Sequence, residues 1–162
     1  IAVKYPEWNF GLIGSFRLGD NKHRNLYSDE IIKKMKAIGS QAQFYGFKEQ
    51  EFVEEKMKSA SINVIPSLWE EPFGLVAAEA MSNGICIIAS RVGGIPEIVE
   101  SNGILIDNIN HKKLSQNIDH LIHNDKLRKI YQRKAWKNFR FSSKISSKRL
   151  DAFRKIIISN FV

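Results

Sequence analysis

INVIPSLWEEPFGLVAAEAMSNGICIIAS, residues 62–90, is the stretch from which the fold can be read. Ile62 to Pro66 and Ile85 to Ser90 are mostly apolar on both faces, as parallel strands covered by helices should be. Between them, Phe73 to Asn83 sets Leu75, Ala78 and Met81 at helical spacing, with Pro72 near the first helical position and Gly84 just past the last. Two such strands joined by a helix form a βαβ unit, and a unit of this kind needs neighbours to bury its second face.

The neighbours are legible on either side. Phe10 to Ser15, Gln43 to Gly46 and Gly103 to Ile106 read as further strands. Asp29 to Ile38 carries Ile31, Ile32, Met35 and Ile38 on one helical stripe, and Glu49 to Ala60 carries Phe52, Val53 and Met57. The order β-α-β-α-β-α-β predicts an α/β fold, a Rossmann-like, right-handed, doubly wound parallel sheet. Charged segments after about residue 111 predict two or three covering helices. The expected organisation is one Rossmann-like domain over residues 1–143 and a final helix over residues 144–162.

Composition bounds the class. With 162 residues, 43% apolar and 26% charged, the chain is long enough for one core and too apolar for a disordered tail. The longest apolar run, Ile85 to Ala89, is far short of the roughly 20 residues that span a bilayer. One cysteine, Cys86, lies inside that run, which predicts a buried thiol and a reducing, cytoplasmic setting. The first residue is Ile1 rather than Met, so the chain is expected to be a piece of a longer protein.

Charge is uneven along the chain. Residues 1–110 carry 11 basic and 14 acidic side chains, whereas residues 111–162 carry 14 basic and 3 acidic. Taken alone, a basic segment of this kind suits an anionic membrane surface or a nucleic acid, or is simply a solvated helical face; no nucleic acid is expected as partner. The interleaved Tyr131, Trp136, Phe139, Phe141 and Phe153 fall near helical spacing and are expected in the core. Ile145, Leu150, Phe153, Ile156, Ile157, Ile158 and Phe161 form a broad apolar stripe on the last basic segment.

In open parallel sheets ligands sit beyond the carboxyl ends of the strands, so the turns after each strand matter most. The first, Gly14 to Lys22, offers small residues at Gly14 and Ser15, then the cations Arg17 and Lys22, a combination suited to a diphosphate. The second runs into the helix at Phe73, Gly74 and Leu75, whose free amides are expected to face an anionic or hydroxyl-rich ligand, with Gly74 leaving room for close approach. Glu71 and Glu79, on one continuous helix, would lie roughly 12 Å apart along its axis. Carboxyl pairs that cleave a glycosidic bond sit roughly 5–9.5 Å apart, so these two are better placed at opposite ends of an elongated ligand such as a nucleoside diphosphate sugar. The third turn, with Gly93 and Gly94, is expected to be another loop of backbone donors.

These motifs together resemble the nucleotide-sugar glycosyltransferases of family 4, which have the two-domain GT-B fold. The resemblance is carried by Pro-Ser-(x3)-Glu71-Pro-Phe-Gly-Leu-(x3)-Glu79-Ala-Met, by Gly14-(x2)-Arg17-(x4)-Lys22, by Phe44-Tyr45-Gly46 and by Ala89-Ser90-(x2)-Gly93-Gly94-Ile95-Pro96-Glu97. It spans about residues 10–141, with two departures: His23 stands where the family usually has Gly, and Arg91 where a small acidic residue is common.

The resemblance implies the C-terminal half of such an enzyme, a donor-binding domain for a retaining, hexosyl-type transfer in surface glycan or glycolipid synthesis. Glu71 would contact sugar hydroxyls, Glu79 the ribose, and Arg17 with Lys22 the diphosphate. Gly14, Ser15, Phe73, Gly74, Leu75, Gly93 and Gly94 would complete the donor site. No Asp-x-Asp occurs in the sequence, so the chemistry is expected to need neither metal nor cofactor, with a nucleoside diphosphate sugar, UDP-linked by default, as donor. His111, His120 and His123 are expected on a polar helix surface.

Acceptor recognition would belong to an N-terminal domain to which the 144–162 helix crosses back, so this chain is expected to bind but not to transfer. Peripheral contact with an anionic membrane is a further expectation for the basic helices. Two other functions fit parts of the pattern: a non-catalytic nucleotide-sugar or anion-binding module, and half of a nucleotide-sugar epimerase.

Overall fold

The computed structural model describes residues 1–14 and 26–161, and resolves two compact units, Ile1–Ser59 and Ala60–Val162. Ser15, Arg17 and Lys22 lie outside the described residues.

In the first unit, β1 (Phe10–Ile13) pairs in parallel with β2 (Ala42–Gly46), Phe10 opposite Ala42 and Leu12 opposite Phe44. The helix α1 (Leu26–Ile38) connects them, as parallel strands require, and α2 (Gln50–Ser59) follows β2. Ile32 from the predicted stripe of α1 is buried, as is Met57 of α2. The Gln41 amide donates to the carbonyls of Ala2, Tyr5 and Trp8 at 3.3, 2.9 and 3.0 Å, tying down the N-terminal coil.

The second unit is built around a three-stranded parallel sheet in the order β3 (Ile62–Ile65), β4 (Cys86–Ser90), β5 (Ile104–Ile106). All five residues of central β4 are buried. Cys86 and Ile88 point to one face, where they pack with Ile106 of β5, Leu121 of α5 (His111–His123), and Leu127 and Tyr131 of α6 (Asp125–Asn138). Alternation sends Ile87 and Ala89 the other way, and the small residues Ala77, Ala78 and Ala80 let α3 (Leu75–Ser82) come close to the sheet.

Helix ends follow their sequences. Asn83 and Gly84 close α3 in a Schellman arrangement: Gly84 has φ +65°, its amide donates to Met81 O at 2.9 Å, and Ile85 N donates to Ala80 O at 3.1 Å. Asn110 and Asn124 cap α5 and α6 by accepting from Lys113 N at 2.9 Å and Leu127 N at 3.0 Å. At the start of α6, hydrogen bonding to Lys129 holds the Asp125 carboxyl below the usual carboxylate range, with Arg128 adding to it.

Several expectations are corrected. Residues after the third turn are not all loop, because Ile95–Val99 forms a short helix, α4, with Ile95, Ile98 and Val99 buried. The helix α3 begins at Leu75 rather than Phe73, so Pro72 precedes it instead of opening it. The left-handed φ of +89° at Gly74 interrupts the backbone there, and helical geometry cannot pass through it. Trp136 and Phe153 are 67% and 64% exposed rather than core, and the inward position on α6 is taken by Ala135. The last segment folds as α7 (Ser143–Phe161), on which Leu150, Phe153, Ile156, Ile157 and Ile158 are all exposed. Among the described residues, no helix is long and apolar enough to cross a membrane.

Burial pushes the Cys86 thiol from the ordinary 9.0 up to about 12, against a smaller downward pull from Arg128. The folded pKa lies above the unfolded one, so the stability this group contributes is fully present below pH 9 and lost as the pH rises toward 12, at about 1.4 kcal/mol per unit. Denaturant unfolding between pH 8 and 11 is therefore expected to show a steeper alkaline loss in the native chain than in Cys86→Ala; parallel curves would remove the buried thiol as the cause.

Candidate functional site

The second unit brings together the loop after β3 and the turn after β4. Pro66 closes β3, and the chain then runs Ser67 to Phe73 before α3 begins. Within this loop Ser67 Oγ donates to Glu71 Oε1 at 2.9 Å, and Glu71 is half-buried. From the other side, Gly94 N donates to the Glu71 carbonyl at 2.7 Å, and Gly93 N donates to Glu70 Oε2 at 2.5 Å. The turn expected to offer free backbone donors has thus committed both glycine amides to the neighbouring loop.

The glycines are required by the closeness of the two segments. A Cβ on Gly93, which has φ +52°, would lie 2.5 Å from Glu71 N and 2.8 Å from Glu71 C, and nearer still to the carbonyl oxygen. One on Gly94 would lie 2.7 Å from Pro72 O and 3.0 Å from Phe73 Cα. Gly74 is buried, and the space a Cβ would need is filled by Ile95 Cγ1 at 3.0 Å. Its lack of a side chain thus serves packing of α3 on α4 as well as a left-handed turn, where close approach to a ligand was expected.

Glu71 lies before α3 and Glu79 within it, so the spacing of roughly 12 Å expected for one continuous helix does not apply to the pair. Glu79 is half-buried, and its backbone carbonyl accepts from Ser82 Oγ and Asn83 Nδ2 at 2.8 and 2.9 Å. Phe73 stacks edge-on against Phe141 at 5.5 Å, while Leu75 is exposed at the start of α3. Beyond the carboxyl ends of β3, β4 and β5 lies a cleft of about 350 Å³ lined in part by Ser67, Glu70, Ser90, Arg91 and Asp107. Arg91 and Asp107, both in its lining, form an ion pair at 3.0 Å.

In the first unit, Gly14 follows β1 with φ +146° and donates its amide to Gly46 O at 3.0 Å, with nothing among the described residues within 4 Å of the position its Cβ would take. His111, His120 and His123 lie exposed on α5. Among the described residues, no three His, Cys, Asp or Glu side chains gather as metal ligands would.

Residues 2–138 match the family described as glycosyl transferases group 1. The chain belongs to that family. An uncharacterised glycosyltransferase of Methanocaldococcus jannaschii is 36% identical to this group 1 chain over 130 residues, covering 79% of the chain and 34% of the relative. Spore coat protein SA of Bacillus subtilis is 29% identical over 150 residues, covering 86% of the chain and 38% of the relative. The chain therefore spans about a third of the length of the curated relatives it matches.

Anabaena HepE, solved with UDP, superposes with a TM-score of 0.72 at 23% identity over 95% of this chain and 43% of its own. The C-terminal domain of the group 1 protein LpcC of Francisella tularensis does so with a TM-score of 0.66 at 28% identity, over 83% of this chain and 69% of its own. The fold of this group 1 chain is that of the C-terminal domain of a GT-B glycosyltransferase.

Two residues of the site went unassigned in the sequence. Ser67 and Glu70 stand inside the recognised motif, but their partners, four and 23 residues away, follow no periodicity that would have marked them.

Proposed function

We propose that this chain binds a nucleoside diphosphate sugar, and that in the whole protein it serves a retaining, metal-independent transfer of that sugar to an acceptor in surface glycan or glycolipid synthesis. The observation that carries the reading is a half-buried carboxylate, Glu71, held by Ser67 in the loop beyond the carboxyl end of β3, in a chain of the group 1 family. HepE has been solved with UDP and with UDP-glucose, and WaaG acts in lipopolysaccharide biosynthesis; both share this fold.

By the family resemblance, Glu71 accepts hydrogen bonds from sugar hydroxyls and Glu79 from the ribose. The amides near the start of α3, at Phe73, Gly74 and Leu75, face the polar middle of the donor, while Arg17 and Lys22 balance the charge that grows on the diphosphate as the glycosidic bond breaks. These are electrostatic roles filled by side chains and backbone, and UDP is the default carrier.

Titration calorimetry with UDP, UDP-glucose and the GDP and ADP analogues tests this directly. Glu79→Ala is expected to weaken UDP binding by roughly 1–3 kcal/mol through loss of charged hydrogen bonds, while Glu71→Ala weakens UDP-sugar binding more than UDP binding. Equal losses for nucleotide and nucleotide sugar in both variants would end the two-ended assignment. A folded chain that binds no nucleotide at millimolar concentration would end the donor reading altogether.

A further inference from the structure

We infer that Ser67 and Glu70 are positioning residues that fix the Glu71 carboxylate, holding one of its oxygens inside the loop and leaving the other to a ligand hydroxyl. The inference deepens the donor-binding reading of Glu71 and rests on it. A free glutamate side chain samples many rotamers, and ordering it on binding costs conformational entropy. In this chain the ordering is done beforehand: Ser67 Oγ donates to Oε1 at 2.9 Å, and among the described residues nothing is placed on Oε2.

The backbone beneath is fixed as well. Glu70 turns away from Glu71 to accept the Gly93 amide at 2.5 Å, and the Glu71 carbonyl accepts the Gly94 amide at 2.7 Å. Two adjacent carboxylates have thus taken different work. Glu70 makes a charge-assisted bond that clasps the loop to the glycine turn, and Glu71 presents its carboxylate from a backbone tied to that turn. The absence of side chains at Gly93 and Gly94 is what lets the clasp close, since a Cβ at either would meet the loop backbone.

The experiment uses the 162-residue chain and its Ser67→Ala, Ser67→Thr, Glu70→Ala and Glu71→Ala variants. Three-bond NMR couplings about χ1 and χ2 of Glu71 read its rotamer without any ligand. A single rotamer is expected in the native chain and in Ser67→Thr, which keeps the hydroxyl, and averaged couplings in Ser67→Ala. Glu70→Ala is expected to speed exchange of the Gly93 amide by at least about tenfold while the amides of β4 keep theirs. With UDP-glucose and UDP as probes, Ser67→Ala is expected to lower the preference for the sugar nucleotide by about three- to tenfold, with threonine restoring it.

A single Glu71 rotamer in Ser67→Ala, or an unchanged Gly93 exchange rate in Glu70→Ala, overturns the positioning roles. Averaged couplings in Ser67→Ala together with an unchanged sugar preference in Glu71→Ala uphold the positioning and overturn the donor reading instead.

Discussion

Gly93→Ala is expected to lower the stability of the chain by at least about 3 kcal/mol and to abolish any preference for a sugar nucleotide over the bare nucleotide. Two costs combine. The left-handed backbone at φ +52° costs an alanine roughly 1–2 kcal/mol. The larger cost is steric, because the new methyl would sit 2.5 Å from Glu71 N and 2.8 Å from Glu71 C, both backbone atoms with no rotamer to escape into. Relief requires the 67–73 loop to lift off the glycine turn, which breaks the Glu70 and Glu71 bonds to Gly93 and Gly94.

Gly39→Ala is the control, since Gly39 has φ +84° but, among the described residues, nothing within 4 Å of its Cβ position. It should show the backbone strain alone. Denaturant unfolding of the two variants separates strain from steric clash, and equal losses at both positions would mean that the two loops are not in close contact.

The parts of this molecule visible in the sequence are those whose signals are local or periodic. All five strands fall within one or two residues of their expected ends, because β4 and its neighbours are short apolar runs bounded by turn residues. The sequence marks the end of helix α3 at Gly84, where the Schellman bonds form, but not its start, because the left-handed turn at Gly74 goes with packing against Ile95 from a different element. Helix α4 leaves no such local signal: five residues are too few for a period, and burial of Ile95, Ile98 and Val99 defines it.

The site was legible as a motif but not as a mechanism. Glu71 could be picked out from its spacing to Glu79, yet its hold on Ser67, and the use of the Gly93 and Gly94 amides to secure the loop, depend on segments brought together only by the fold. Trp136 shows the limit of helical spacing, which marks a stripe without saying how wide the buried part is; Ala135 is fully buried and its neighbour is 67% exposed.

The same contrast between buried and exposed apolar residues gives the second large expected effect. Leu121→Ala should cost about 2–5 kcal/mol, in the range of large-to-small core changes, since the side chain is fully buried among Cys86, Ile88 and Ile106 under the sheet. Leu150→Ala on α7 removes the same atoms from a residue that is 51% exposed, and Phe153→Ala shortens one that is 64% exposed. Both should stay within about 0.5 kcal/mol in dilute solution, because little water-free surface is lost and no cavity is left. Chemical denaturation at two protein concentrations reads both the size and the origin of the effects. A loss above about 2 kcal/mol in Phe153→Ala at low concentration would mean that α7 is packed within the folded chain. A loss that grows with concentration would mean that copies of the chain cover the apolar residues of α7 for one another. Small, concentration-independent changes beside a large one at Leu121 would leave the core of the second unit resting on β3, β4 and β5 and the helices α3 to α6, with α7 contributing little to its stability.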